Sequence, residues 1–353
     1  MTTSLDLLLD KVFTIIRLSR NKIKLFYFCT ISIYSSVELY LSIKSTKYTL
    51  PSTPYPLKKI HLQYFLLPIF ATNLCFMKIK LLQCGYCHGF EDTVLKGGRR
   101  LEIEFPALVA LLQHPVHGNI LFDTGYSNRF YEETGSWPGK IYAWLTPTFV
   151  KPEEYAVEQL KALGIAPEAV NYILVSHFHA DHVCGLKDFP NACFVCSQSA
   201  LENVEKSKGF AAVKRGILPG LIPSDLSKRA WCFDNDSKLK TENDEILGKV
   251  YDLFGDGSIR IVPLPGHHTG QFGVILKDEQ EKNLFLCADA CWLSPSFKKN
   301  RMPSITTWLL TYDWKAFKES LYKLHLHYKK HPEVRIVPTY CMEAVREEMT
   351  VYS

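Results

Sequence analysis

The chain has 353 residues, of which 47% are hydrophobic, 13% aromatic and 22% charged, a composition typical of a folded globular protein rather than a disordered or fibrous one. The formal net charge of +5 is concentrated near the N-terminus, where residues 1–76 contain 9 basic and 3 acidic side chains. The rest of the chain holds 32 basic and 33 acidic residues. No nucleic-acid partner or anionic-membrane surface is therefore expected beyond residue 76.

The cysteines indicate a reducing, cytoplasmic environment. Their number, 11, is odd, and they are scattered through apolar runs such as CFVC and FLCADAC rather than spaced as a disulfide framework. The pairs Cys84/Cys87 and Cys193/Cys196 have zinc-site spacing, but Cys193 and Cys196 lie on a predicted strand, where positions three apart face opposite sides. We interpret them as small buried hydrophobic residues.

Residues 1–76 differ in amino-acid composition from the rest of the chain: they contain few acidic residues and no glycine. The run from Leu25 to Ile43 has about the length that a bilayer requires, yet it contains Glu38 and several hydroxyl residues, so membrane association through this segment is only weakly indicated. It also lacks the short apolar core and cleavage site of a secretory signal. We expect a poorly ordered or weakly hydrophobic extension. An organelle-targeting peptide, an amphipathic anchor and an upstream extension of the reading frame stay open as alternatives.

Met77 begins a regular alternation of strands and helices. MKIKLLQCGYC alternates like a strand, and LEIEFPALVALLQHPVHGNILFDTGY predicts two strands joined at a turn over residues 114–118. Further strands are predicted at 172–176, 193–196, 259–264, 272–276, 284–288 and 334–338, with helices at 153–163, 199–206 and 314–330. The pattern favours a single mixed α/β domain over residues 77–353.

The most informative motif is HFHADH, residues 177–182, which directly follows the apolar strand YILVS. Histidines two apart share one face of an extended segment, and the loop can bring Asp181 and His182 to a neighbouring point. Imidazole and carboxylate groups together suit Zn²⁺ or a similar metal. Two more loops at strand ends offer further ligands: GHHTG with His267, and Asp289 after NLFLCA.

These motifs, together with FDTGY, FGDGS, LPGHHTGQFG and CADA, resemble those of the metallo-β-lactamase-fold hydrolases, from about residue 77 to 345. The resemblance implies an αβ/βα sandwich of two mixed β-sheets with helices on the outer faces. It also implies that His177, His179 and His267 bind one metal, that Asp181 and His182 bind a second, and that Asp289 bridges the two. Asp123 would orient ligands from behind.

Within that superfamily the chain is most similar to acyl-homoserine-lactone-type lactonases, with two departures. Tyr340 stands where those enzymes have a further histidine ligand of the second metal, and Trp292 replaces a tyrosine three residues after the bridging aspartate. A phenol must lose a proton to be a good ligand, so we expect the second metal to be held weakly and Tyr340 to leave the site. The alternative is coordination of Tyr340 as phenolate. Trp292 cannot act as an acid and is predicted to line an apolar substrate pocket, extended by Trp308, Tyr312 and Trp314.

The predicted function is hydrolysis of a lactone or related ester that has an apolar part, by hydroxide that the metal activates and that Asp181 and Asp289 orient. One or two Zn ions are expected, with Fe or Mn as alternatives. A thioester or phosphodiester substrate, or ligand binding without turnover, are the competing interpretations. We expect His268 to lie behind the ligands or face solvent, His114 and His117 to lie in a hairpin turn, and His325, His327 and His331 to form an exposed basic face.

Overall fold

The computed structural model describes residues 28–33, 39–44 and 77–351, and it divides the chain into two units, Met1–Leu62 and Gln63–Ser353. In the first unit, strands β1 (Phe28–Ile33) and β2 (Leu39–Lys44) pair antiparallel. The predictions made for the rest of residues 1–76 lie outside the described residues. Within the described part of the chain, no helix has the length and apolarity needed to cross a bilayer.

The second unit is built on two mixed sheets. The seven-stranded sheet has the order β6-β3-β4-β5-β7-β8-β9, in which β5, β7, β8 and β9 run parallel. Its strands are β3 (Lys78–Phe90), β4 (Glu102–His114), β5 (Gly118–Phe122), β6 (Thr148–Phe149), β7 (Val170–Leu174), β8 (Cys193–Cys196) and β9 (Ala230–Cys232). The six-stranded sheet follows chain order and consists of β10 (Lys240–Asp244), β11 (Gly248–Asp252), β12 (Ile259–Pro263), β13 (Phe272–Lys277), β14 (Asn283–Leu286) and β15 (Arg335–Val337).

Helices connect and cover the strands of this unit. They are α1 (Glu91–Val94), α2 (Arg129–Thr134), α3 (Gly139–Leu145), α4 (Ala156–Ala162), α5 (Ala180–Val183), α6 (Gln198–Lys206), α7 (Gly209–Lys214), α8 (Leu226–Arg229), α9 (Ser294–Lys299), α10 (Trp314–Lys330) and α11 (Met342–Val351). Short 3-10 turns, among them Ala288–Ala290 and Ile305–Leu310, complete the connections.

The core lies between the two sheets and beneath the outer helices. Phe122 at the end of β5 contacts Phe272 at the start of β13 with ring centroids 6.4 Å apart, so the sheets pack face to face. On the outer side of the six-stranded sheet, Leu321 and Leu324 of α10 pack in a cluster with Phe285 of β14. The predicted architecture of two mixed sheets with helices outside is confirmed.

The predicted elements are present, but several bounds differ: the strand predicted over 172–176 is Val170–Leu174, and that predicted over 284–288 is Asn283–Leu286. Strand β8 and helix α10 have the predicted bounds, whereas the helix predicted over 153–163 is shorter because residues 152–154 form a separate 3-10 turn. The hairpin of β10 and β11 was missed. Its first strand, KTEND, is charged and largely exposed, so it lacks the apolar alternation that marks a strand.

The predicted exposed basic face on α10 was wrong for His327. Its side chain is buried with its ring edge-on to Phe285, and His325 and His331 are half-buried. Both nitrogens of His327 lack a hydrogen-bond partner in the structure. Burial, and then the neighbouring His331, lower the pKa of His327 to about 4.

We expect His327 to make the fold less stable in acid. Because its folded-state pKa lies below the unfolded value of about 6.5, its neutral form stabilises the fold above that pH, and this contribution is lost as the pH falls toward about 4. Between pH 7 and pH 5 the loss is about 1–2 kcal/mol. The free energy of unfolding, measured with denaturant, should fall less between pH 7 and pH 5 in His327→Leu than in the wild type. His88→Leu, a change at a partly exposed site, is the control. Equal declines in wild type and His327→Leu would contradict the assignment.

Candidate metal centre

The histidine and aspartate side chains of the motifs lie just after the ends of four strands. Asp123 follows β5, His177 comes three residues after the end of β7, His267 lies in the loop after β12, and Asp289 comes after β14. Gly266 permits the tight approach of the His267 loop to helix α10, since a Cβ there would lie 2.0 Å from the Phe317 backbone nitrogen. The fold thereby brings loops from both sheets to one edge of the sandwich.

Four predicted ligands converge at this edge. One ligand atom from each of His177, His179, His267 and Asp289 lies within 4.8 Å of the others. Nε2 of His267 is 2.9 Å from Nδ1 of His179 and 3.2 Å from Oδ2 of Asp289. Three of the four side chains are buried and that of His179 is half-buried, so the group can hold an ion largely shielded from bulk water.

The cluster has the donor chemistry of a cation site. Nε2 of His177 and Oδ1 of Asp289 are buried without a hydrogen-bond partner, and such groups are costly unless something satisfies them. Burial, followed by the neighbouring imidazoles, lowers the pKa of His177 and of His179 well below the usual value, so both rings are neutral, the form that binds metal. The residues therefore fit a Zn²⁺-type ion.

A buried network behind the cluster orients His182. Asp123, held at a left-handed φ of 60°, accepts hydrogen bonds from the backbone nitrogen and hydroxyl of Ser176 at 2.8 and 2.7 Å. Its Oδ2 also lies 2.7 Å from Nδ1 of His182. Burial raises the pKa of Asp123, whereas for His182 the lowering effect of burial is outweighed by three carboxylates and its pKa is raised. This contact fixes the ring of His182 so that Nε2 faces Asp181 and Asp289.

The predicted second-metal residues are also adjacent. Nε2 of His182 lies 3.1 Å from Oδ2 of Asp181 and 3.4 Å from Oδ1 of Asp289. The hydroxyl of Tyr340 donates a hydrogen bond of 2.5 Å to that same Asp181 oxygen. Burial, and then the charge of Asp181, raise the pKa of Tyr340 well above 10, so its side chain is a neutral phenol that occupies one lone-pair direction of Asp181.

Trp292 contacts the cluster itself. Its side chain is only 5% exposed, and its indole Nε1 donates to Oδ2 of Asp289 at 3.3 Å. The ring is edge-on to His267 and also contacts Phe317. Its role in lining a substrate pocket stays a prediction, and the contact that the structure provides is to a candidate ligand.

We expect Trp292→Phe, which removes the N–H donor and retains an aromatic ring, to weaken metal binding about 10- to 100-fold, as loss of a hydrogen bond behind a ligand typically does. Competition with a chromophoric chelator measures this affinity directly. Trp314→Phe is the matched control because Trp314 stacks on the same Phe317 within helix α10, with ring centroids 6.0 Å apart, and is not part of the ligand cluster. Unchanged affinity in Trp292→Phe would remove the proposed positioning role.

Gly216 is a site residue that sequence reasoning missed. It has a φ of +72°, and a Cβ at this position would lie 2.4 Å from Nε2 of His179. A lone glycine after α7 carries no sequence signal of its own, since the contact spans nearly forty residues of chain. Its role is to leave room for the imidazole.

The remaining histidines near the motifs are structural. His268 is buried rather than solvent-facing, and its Nδ1 donates to the carbonyl of Thr269 at 3.0 Å. His114, predicted in a hairpin turn, is the last residue of β4 and is grouped with His117 and Asp256 within 4.8 Å. Its Nδ1 accepts two backbone N–H groups, so the proton is on Nε2, which faces Asp256 and Ser258 and has no lone pair for a metal.

The two CxxC pairs do not form a thiolate site within the described residues, where no metal-type cluster includes a cysteine. Cys84 and Cys196 are buried, and Cys193 is partly exposed. Their interpretation as small apolar residues is retained.

Comparison with known proteins identifies the family. The model of the metallo-beta-lactamase superfamily matches residues 103–288. The N-acyl homoserine lactonase AttM of Rhizobium radiobacter is 29% identical over 233 residues, which cover 64% of this chain and 81% of the relative. A solved N-acyl homoserine lactone hydrolase with the product N-hexanoyl-L-homoserine at its catalytic metal center is 20% identical, with a TM-score of 0.58 over 77% of this chain and 96% of that one. The dizinc quorum-quenching lactonase AidC is 16% identical, with a TM-score of 0.51 over 76% and 92%.

The chain belongs to the metallo-beta-lactamase superfamily and is a metallohydrolase. The family, fold and enzyme class predicted from the motifs are thereby confirmed. Its curated relatives are lactonases, which makes it a lactonase-like member of the superfamily.

Proposed function

We propose that this protein is a metal-dependent hydrolase that opens a lactone carrying an apolar acyl chain. The observation that carries the proposal is the convergence of His177, His179, His267 and Asp289 within 4.8 Å at the loop edge of the sandwich. The lactonase relatives support the substrate class. The proposed cofactor is Zn²⁺, with Fe or Mn as alternatives.

In this proposal His177, His179, His267 and Asp289 hold one ion, and Asp181, His182 and Asp289 provide a weaker second position. When bound, such an ion polarises a carbonyl oxygen and lowers the pKa of water from 15.7 to about 7. Because Tyr340 already donates to Asp181, the second position lacks the ligand that a histidine would supply. We therefore propose one firmly held metal per chain.

The chain's own residues then orient the reactants and move protons. Trp292 holds Asp289 and Asp123 holds His182. In the proposal these two held side chains position the attacking water and the lactone carbonyl that it attacks. The hydrogen bond from Tyr340 to Asp181 lies on the second-position side of the cluster. Asp181 can accept the proton that the attacking water loses and pass it to the alkoxide that leaves when the lactone ring opens, while Tyr340 stays a neutral hydrogen-bond donor to Asp181.

Apolar side chains near the His267 loop are suited to an acyl chain. The backbone nitrogen of Tyr312 donates to the carbonyl of His267 at 3.1 Å, which joins the 3-10 turn Ile305–Leu310 and its flank to the candidate site. Ile305, Trp308 and Tyr312 are 57–70% exposed, an unusual degree for large apolar residues. Such side chains favour a substrate with a hydrophobic tail.

A substrate panel tests the proposal. The full-length chain, loaded with Zn²⁺, Mn²⁺ or Fe²⁺, is assayed with short- and long-chain acyl homoserine lactones, an acyl thioester and bis-p-nitrophenyl phosphate. Preferential turnover of acyl lactones is the expected result. Turnover of only the thioester or only the phosphodiester would contradict the lactone assignment and identify that compound class as the substrate. No turnover of any substrate with metal bound would indicate a ligand-binding member without catalytic activity.

A further inference from the structure

A pair of cysteines outside the metal centre lies across the edge of the seven-stranded sheet. Cys196 ends β8 and Cys232 ends the edge strand β9, and the two residues are direct partners in this parallel pairing. Neighbouring strands are about 4.7–4.9 Å apart, and registered residues of parallel strands point to the same face. A disulfide requires a Cα separation of about 4.4–6.8 Å, so the backbone spacing already permits one.

The two thiols also influence each other electrostatically. The neighbouring Cys196 side chain lowers the pKa of Cys232. The thiolate is the reactive form of cysteine and Cys232 is the more exposed of the two, so Cys232 is the sulfur that reacts first.

Cys232 is reachable from solvent whereas Cys196 is not. The side chain of Cys232 is partly exposed and lines a shallow surface cavity of about 480 Å³ together with Gln198, Leu201 and Trp231. Cys196 is fully buried beside it. The thiol pair Cys287/Cys291, which flanks the 3-10 turn after β14, is a useful contrast because both of its residues are buried.

We propose that Cys196 and Cys232 form a reversible disulfide when a small hydroperoxide enters this cavity. The Cys232 thiolate attacks a peroxide oxygen, which breaks the O–O bond and gives a Cys232 sulfenic acid and hydroxide; the hydroxide takes up the proton that the Cys232 thiol had released and leaves as water. The Cys196 sulfur then attacks the sulfenic sulfur, the S–S bond forms, and the sulfenic oxygen leaves as a second water with the Cys196 thiol proton. In sum, two thiols are oxidised to one disulfide while one hydrogen peroxide is reduced to two waters.

The test is peptide mapping of the native full-length chain. The chain is treated with a few equivalents of hydrogen peroxide, the remaining thiols are alkylated, and the protein is digested without reduction. One major cross-linked peptide is expected, in which Cys196 is joined to Cys232. Its mass should be two hydrogen atoms below the sum of the two thiol peptides, and it should disappear on reduction with dithiothreitol. Cys287 and Cys291 should be recovered alkylated. Over-oxidised Cys232 with free Cys196, or a cross-link that excludes this pair, would overturn the proposal.

Variants assign the order of the steps. Cys196→Ser should leave Cys232 as a sulfenic acid that a dimedone reagent traps, and Cys232→Ser should abolish oxidation of Cys196. Cys193→Ser, at a partly exposed position of the same strand, is the matched control and should retain the cross-link. The wild-type peptide map decides the proposal even where a variant fails to fold. Loss of the cross-link in Cys193→Ser would contradict the assigned pairing.

Discussion

Replacing His179 by alanine is expected to remove the firmly held metal and to lower turnover at least about a hundredfold, because the bound ion supplies several kcal/mol of transition-state stabilisation. His179 contributes one of the four ligand atoms of the cluster and lies 2.9 Å from His267. Its removal leaves three ligands and an opening toward solvent. Metal analysis of the purified variant and kcat/KM on the best lactone measure the two effects.

The control for this variant is His88→Ala, which removes a partly exposed histidine of β3 that lies outside the cluster. Circular dichroism and thermal unfolding must show that His179→Ala retains the fold. Full metal content in a folded His179→Ala variant would mean that the ion lies elsewhere.

Replacing Tyr340 by histidine is expected to raise the metal content from about one to about two ions per chain. The phenol of Tyr340 donates to Asp181, and the raised pKa of this residue keeps it neutral. A histidine offers a neutral nitrogen lone pair and frees the Asp181 oxygen for a cation. Metal quantitation after dialysis against a weak chelator gives the ratio.

Tyr340→Phe separates the two roles that a tyrosine can have here. If Tyr340 is a hydrogen-bond donor, the phenylalanine variant keeps one tightly bound ion. If Tyr340 binds the second ion as a phenolate, wild-type protein already holds two ions and the phenylalanine variant loses one. The second pattern would contradict our assignment.

The motifs that carry the candidate ligands could be predicted because each is a local sequence pattern. HFHADH begins three residues after the end of β7, and the loops with His267 and Asp289 each follow an apolar strand, so each segment indicates a strand end with ligand-type side chains. The sequence does not show which strand ends are neighbours. That step depended on family resemblance, and the fold brings three of these loops to one point.

The contacts that were missed or misread depend on packing between distant segments. Trp292 was assigned to a pocket by residue type, and its hydrogen bond to Asp289 follows from the turn at residues 288–290. His327 alternates with lysine and leucine along α10, so the sequence pattern indicated exposure, while packing against Phe285 buries it. The pairing of Cys196 with Cys232 needs the register of β8 and β9, which a sequence alone does not provide.

Anomalous diffraction from crystals of the full-length chain, recorded above and below the absorption edge of the bound metal, tests the central claim most directly. The account predicts the strongest anomalous peak within bonding distance of His177, His179, His267 and Asp289, with a weaker or absent peak between Asp181 and His182. A strong peak at another position, such as beside His114, with no density among those four residues would contradict it.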